Sequence, residues 1–311
     1  MTQQITDTIM MVRPSAFRLN DETAVNNYFQ QAGSLSSNEA QERALSEFDN
    51  FVGTLRSAGI QVLVFQDKAE NGTPDSIFPN NWNSFHDDGR IYLYPMFAPN
   101  RRKERRQDIL DALIDKYRVS KVDSFIDWES KGKFLEGTGS LILDRPNKIA
   151  YAAIGDRTHL AVLEDFSTRT GYEVVSFTSN QSVHGERKPI YHTNVMMCVG
   201  ENFVVICLDS IDDRSEREIV VQKLQSSGKE VIDITEEQKD KFAGNMLQVQ
   251  NSSGDRFVVM SQQAYQCLSS EQIESLSKHG QLLYSPINTI EQLGGGGVRC
   301  MMAEIFLPKK N

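Results

Sequence analysis

One of the four cysteines in this 311-residue chain stands apart. Cys300 follows four glycines, Gly294 to Gly297, in the stretch GGGGVRCMMAEIF. A glycine run leaves bare backbone that a ligand or another segment can approach closely. A thiol just past such a run is placed to act as a nucleophile. On a strand it would equally serve as a small core residue. Cys198, Cys207 and Cys267 lie in apolar runs or at a helix end and read as core. A cysteine nucleophile needs an acid or base at hand. Of the five histidines, His192, in YHTNVMMCVG, opens an apolar run and is best placed for that role. His279 ends a helical stretch, and His86 reads as turn surface beside Asp87, Asp88 and Gly89. Glu136, in FLEGTGSLILD, is a carboxylate at a strand start that could orient a histidine. The plainer alternative for Glu136 is a solvated turn residue.

Two further segments concentrate polar chemistry. Pro74 to Trp82, PDSIFPNNW, sets Asp75, Asn80 and Asn81 among aromatic side chains, where a turn with side-chain caps is the bland reading. Arg101, Arg102, Lys103, Arg105 and Arg106 form a basic run. They could be a solvated helix start or a fork for a substrate carboxylate, with the inward-facing arginine left open. The metal-ligand spacings HExxH and paired CxxC are absent, as are phosphate-loop and dinucleotide fingerprints. No metal and no cofactor are expected.

A repeat supplies the elements to position these residues. Four times a helical stretch ends in glycine and a β-rich run follows, at Gly59, Gly171, Gly228 and Gly280. Glycine after the last helical turn takes the left-handed conformation that other residues resist. The spacings are 112, 57 and 52 residues. The first is double the others, so Arg101 to Tyr117, followed by VSKVDSF, reads as a hidden helix and strand. Five units result, each with one or two apolar strands ahead of its helix. The last apolar run, from Val298, has no helix after it and is expected to complete the first unit. Ser36 with Glu39, and Ser269 with Gln272, read as capping boxes. The expected fold is α/β: roughly five ββαβ-type units, strands inside and helices outside, as one domain over residues 1–311.

Composition excludes several functions. There are 33 basic and 42 acidic residues, a net charge of −9, so nucleic acid is not an expected partner. No apolar run approaches a membrane span. The N-terminus lacks the basic and apolar regions of a signal peptide, and a reduced cytoplasmic setting is the expectation.

Read in order, these segments resemble the guanidino-group-modifying enzymes of the amidinotransferase (pentein) superfamily. PDSIFPNNW is similar to its PDxxFxED segment and APNRRKER to its arginine segment. FLEGTGSLI is similar to its glutamate segment, GDRT (155–158) to its xxRT segment, YHTN to its histidine segment and GGGGVRCM to its cysteine segment. The resemblance implies a five-bladed pseudo-symmetric α/β propeller. It implies Cys300 as nucleophile, His192 as acid and base, and Glu136 as its orienting partner. It also implies Arg157 and Arg102 on a substrate carboxylate, and Asp75 near the substrate's amino-acid end.

The departures bear on substrate. Deiminases of this superfamily place a carboxylate where Asn81 stands, and arginine deiminases a second one where Asn194 stands. An amide carries both a donor and an acceptor and matches a neutral ureido group. Similarity is greatest to a citrulline-utilising hydrolase branch, which implies citrulline converted to ornithine, carbon dioxide and ammonia through a cysteine-linked intermediate. An arginine or methylarginine hydrolase giving citrulline, an amidinotransferase and a non-catalytic binding propeller are the alternatives. The expected partner is a small amino-acid substrate, citrulline or an arginine derivative, with a homodimer left open.

Overall fold

A computed structural model describes residues 2–310. Five three-stranded sheets follow one another along the chain, and all five share one pattern. A lead strand pairs antiparallel with a middle strand. The middle strand pairs in parallel with a third, reached through a helical crossover. In the first sheet, Ala303–Glu304 leads, Thr8–Arg13 is central and Gln61–Gln66 is outermost. The second joins Asn83–Phe85, Arg90–Leu93 and Lys121–Ser124. The third joins Ile142–Asp144, Ile149–Ala153 and Glu173–Phe177. The fourth joins Met197–Val199, Phe203–Ile206 and Glu230–Asp233. The fifth joins Leu247–Gln250, Arg256–Ser261 and Gln281–Ser285. The last apolar run does complete the first sheet, as expected.

Burial explains the sequence pattern. Middle strands such as Ile149–Ala153 and Phe203–Ile206 are buried throughout, so they read as unbroken apolar runs. Third strands such as Glu173–Phe177 mix exposed and buried positions and lie beneath the helices. The lead strands of neighbouring sheets also touch, first with second, third with fourth and fourth with fifth. Gln4 binds two of them, its Nε2 donating to the Leu143 and Val199 carbonyls at 2.9 and 3.1 Å. The crossover Ser37–Ser57 begins in the expected Ser36–Glu39 capping box and buries Phe48, Phe51, Val52 and Leu55. The Ser269–Gln272 box caps Ser270–Ser277. Among the described residues, no helix is long and apolar enough to cross a membrane.

Four local expectations change. Gly59, Gly171 and Gly228 are left-handed, but Gly280 has φ 159° and is nearly extended. There glycine is needed for space, because a Cβ would lie 2.7 Å from the Arg256 carbonyl oxygen. The stretch from Arg101 to Tyr117 is not one helix. A 3-10 turn, Pro99–Glu104, precedes Gln107–Lys116, because Arg101 bends inward to bury its charge. The run from Val298 is not one strand. Cys300 and Met301 donate backbone N–H groups to Gly297 and Val298, which makes a turn, and pairing begins at Ala303. His86 is not turn surface. It is buried, with Nε2 2.9 Å from the Ser84 hydroxyl, and burial holds its pKa well below 6.5. A hairpin of Asn180–Val183 and Glu186–Pro189 stands outside the five sheets.

Two glycines make opposite predictions. Gly53 lies inside Ser37–Ser57 with open space around its missing Cβ. Gly53→Ala should stabilise the protein by about 0.5–1 kcal/mol in urea denaturation, through lower unfolded-chain entropy. A Cβ on Gly244 would lie 2.5 Å from the Val195 carbonyl oxygen. Gly244→Ala should cost about 1–3 kcal/mol in the same measurement.

Candidate active site

The turns that precede the lead strands converge on one place. Pro79–Asn81, Gly137–Ser140, Thr193–Val195 and the turn ending at Cys300 each bring polar side chains there. Glycines let these turns approach. A Cβ on Gly137 would meet the Asn80 carbonyl oxygen at 2.4 Å, and one on Gly139 would meet His192 Nδ1 at 2.7 Å.

His192 and Glu136 are both buried, with Nε2 2.7 Å from Oε2. Glu136 also accepts the Phe97 N–H at 2.8 Å. The Arg157 and Arg101 guanidinium groups lie 3.6 and 3.7 Å from it. Burial works against its charge, but Arg157, His192 and Arg101 together hold its pKa below the usual carboxylate range. His192 is pushed down to about 4, chiefly by burial, and the Glu136 hydrogen bond only partly restores it. The imidazole is therefore neutral at pH 7. Its Nε2 is committed to Glu136, and Nδ1 is the nitrogen on the Gly139 side.

Cys300 Sγ accepts two amide hydrogen bonds, from Asn194 Nδ2 and Asn245 Nδ2, each 3.3 Å. Burial raises the thiol pKa, while these two donors and Arg299 pull it back. The thiol is thus the resting form, and an added positive charge or a base is needed to make thiolate.

Arg101, rather than Arg102, reaches this cluster. Its Nε and Nη2 bind both Glu104 oxygens at 2.9 and 3.0 Å, and its Nη1 donates to Asn81 Oδ1 at 2.9 Å. Asp75 Oδ2 lies 3.7 Å from its Nε. Burial raises the Glu104 carboxyl pKa, while the Arg101 guanidinium bound to both of its oxygens pulls it back down. Arg102 instead points away, donating to the Met96 and Phe97 carbonyls, with a third of its side chain exposed. Arg157 is braced by Asn26 Oδ1 and the Thr23 carbonyl. It stacks 5.1 Å from the Tyr191 ring centroid.

Asp75, Asn81, Arg101, Arg157, His192 and Cys300 all line one small cavity. Glu136 and Asn194 stand directly behind it, bonded to His192 and Cys300. Asn80 packs against Thr138, with Nδ2 3.3 Å from its hydroxyl. Several buried polar atoms here lack partners: Asp75 Oδ1, Asn80 Oδ1, Asn81 Nδ2 and Asn194 Oδ1. Buried polar groups are ordinarily satisfied, so such a cluster marks where a ligand's polar atoms belong. The free volume is only about 10 Å³, room for roughly one water. The segment carrying Asn20, Thr23 and Asn27 walls it, and an amino acid enters only if a wall moves.

Sequence reasoning missed Asn245, Glu104 and Asn27. The repeat itself marks Asn245: it stands two residues before its lead strand, as Asn81 does, and Asn194 stands three before. Among the described residues, no group of three His, Cys, Asp or Glu side chains is arranged to hold a metal.

The family described as N,N dimethylarginine dimethylhydrolase, eukaryotic, matches residues 13–307. The chain belongs to that family. It is accordingly a pentein-type enzyme, a hydrolase of carbon–nitrogen bonds. Solved structures agree on the fold. Apo ArgZ, an arginine dihydrolase from the ornithine–ammonia cycle in cyanobacteria, superposes with TM-score 0.73 at 18% identity over 97% of this chain. This chain covers 41% of that ArgZ chain but 98% of the substrate-bound ArgZ N-terminal domain, which superposes with TM-score 0.72 at 16% identity over 97% of this chain. A dimethylarginine dimethylaminohydrolase adduct with S-methyl-L-thiocitrulline is similar at TM-score 0.65 and 12% identity, over 97% of this chain and 100% of that one. No curated protein matches significantly by sequence.

A pH titration tests the electrostatics of the family member's buried histidine. The His192 ring resonances should stay those of a neutral imidazole protonated at Nε2 from pH 8 to about 5, and titrate near 4. A midpoint at or above the ordinary value of about 6.5 would contradict the burial argument.

Proposed function

We propose that this enzyme hydrolyses a ureido group, with L-citrulline as substrate and ornithine, carbon dioxide and ammonia as products. One observation carries the reading. Arg101 donates to Asn81 Oδ1, so this cavity-lining amide has its acceptor occupied and only its NH2 donor left unpartnered. A ureido group offers a carbonyl oxygen to that donor. A guanidinium has donors only and would face it donor to donor.

In the proposed chemistry, the Cys300 thiol passes its proton to neutral His192 as the sulfur attacks the ureido carbon. The protonated imidazole is steadied by Glu136. It gives that proton to the departing δ-nitrogen, releasing ornithine and leaving a carbamoyl group on sulfur. His192 then takes a proton from water, and the hydroxide attacks the thioester-like carbon. Carbamate departs, decaying to carbon dioxide and ammonia, and the thiolate recovers its proton. Asn194 and Asn245 stabilise the sulfur anion at attack and departure. Arg157 takes the substrate carboxylate, and Asp75, with its free Oδ1, takes the α-ammonium. Arg101 acts through Asn81 and Glu136 and replaces Arg102 in this scheme. We further propose that the five sheets close into one propeller domain over residues 1–311.

A second reading has its own support. The unpaired, buried Asp75 carboxylate oxygen also suits a cationic guanidinium, so an arginine or methylarginine hydrolase is the competitor. Product analysis separates them. The protein is incubated with L-citrulline and, separately, with L-arginine, and ornithine and citrulline are read by mass spectrometry. Ornithine from citrulline is expected, reduced more than about a thousandfold in Cys300→Ala. Citrulline from arginine, with none consumed, would overturn the ureido assignment.

A further inference from the structure

A second and far larger cleft lies against the catalytic cavity. It has a volume of about 680 Å³, in the range typical of small-molecule pockets, and shares Asn27 with the cavity as a common wall. The 24–31 segment, the 180–189 hairpin and the Ile290–Gly294 turn bound it. The described residues lining it include no lysine or arginine, but they include Asp240, Glu291 and several amides. Asp240 is already paired with Lys239, whose Nζ lies 2.7 Å from its Oδ1.

Glu291 is different. It is 3% exposed, its Oε1 has no hydrogen-bond partner, its Oε2 has Gln263 Nε2 at 3.5 Å, and the Ser261 hydroxyl also approaches the carboxyl. A buried carboxyl oxygen left unpaired costs the protein stability, about 1–3 kcal/mol, unless a ligand's polar atom pairs with it. Neither fold nor proposed chemistry uses it. We infer that this cleft is a second small-molecule site, one that takes a primary ammonium group, with Glu291 as its anchor. The amides of Gln181 and Gln263 supply further hydrogen bonds to a polar chain.

The position has a consequence for the cavity next door. The Gly295 N–H donates to the Glu291 carbonyl, and Asn27 Nδ2 lies 3.3 Å from the Gly295 carbonyl. Gly294 and Gly296 line the catalytic cavity. An occupant held by Glu291 thus rests on the walls that must move for substrate entry.

Proton release supplies a signature. Burial pushes Glu291 up to about 8; Ser261 offsets part of this and Glu47 adds to it. Glu47 accepts the Thr289 and Ile290 N–H groups, Cys267 lies on the adjoining Gln262–Cys267 helix, and Asp240, bonded to the buried Lys239, and His184 also line the cleft. The side chain is therefore protonated at pH 7, and an arriving ammonium favours its carboxylate. Binding should release up to one proton per ligand, and affinity should rise from pH 6.5 towards 8.5.

The test is calorimetry on the full chain with 1,4-diaminobutane, which lacks the carboxylate that a substrate offers. Heats are compared in phosphate and Tris at pH 7. Nα-acetyl-L-lysine amide, run in parallel, separates a peptide-borne ammonium from a free amine, and the tighter ligand names the source. Saturable binding of either, with proton release, weakened at least tenfold by Glu291→Gln and unchanged by Asp75→Asn, is expected. Three results would overturn the inference. These are no saturable heat up to about 10 mM, a level that already marks very weak binding; binding without proton release in the wild type; and loss in Asp75→Asn but not in Glu291→Gln, which assigns the amine to the catalytic cavity. The proton count needs no variant, so it stands even if Glu291→Gln folds poorly.

Discussion

The charge on Glu136 organises the middle of this molecule. A carboxylate with no solvent exposure survives only if paired and hydrogen-bonded. Its partners come from three successive units: Phe97 N–H and Arg101 after the second sheet's middle strand, Arg157 after the third's, and His192 before the fourth's lead strand. The two guanidinium groups raise the same demand in turn. Arg101 is answered by Glu104 and Asp75, and Arg157 by Asn26 and the Thr23 carbonyl. One buried anion thereby fixes the relative placement of loops far apart in sequence.

Close backbone approach is the complementary constraint. Side chains from different units can share one cluster only if the turns carrying them nearly touch. Glycine at 137, 139, 244 and 297 removes the Cβ atoms that would forbid it, since each would lie 2.4–2.6 Å from its nearest neighbour. Gly139 makes room for Asn81 and His192 together, and Gly297 for Asn245. The glycines around the candidate site thus serve packing between units as much as flexibility within them.

Much of this was legible in the sequence, for physical reasons. Apolar runs and glycine stops recur because every sheet repeats one topology, so five units could be counted. Cys300 and Glu136 were legible as chemistry-bearing types beside glycines, and His192 as one that opens an apolar run. Arg101 and Arg102 could not be told apart, because adjacent residues in a 3-10 turn differ only in direction, and direction is set by Glu104, Asp75 and Asn81. His86 was misread because its acidic flank is exposed while its ring turns inward to Ser84. Asn245 was passed over as an ordinary polar residue, although the repeat placed it level with Asn81 and one residue from the Asn194 position. The short span of Ala303–Glu304 was hidden because the turn holding Cys300 is as apolar as a strand.

The first sheet differs from the other four in joining segments remote along the chain. Thr6 donates its hydroxyl to the Ile305 carbonyl across 299 positions, and Ala303 pairs with Met10. The thiol of Cys300 stands three residues from that junction, whereas His192 and Glu136 belong to turns whose sheets close locally. Base and thiol are therefore held by contacts of very different range. Peeling Ala303–Glu304 from Thr8–Arg13 would leave four sheets and the His192–Glu136 pair whole while casting the thiol loose, so the sulfur's reactivity is itself a gauge of whether the two remote segments remain joined.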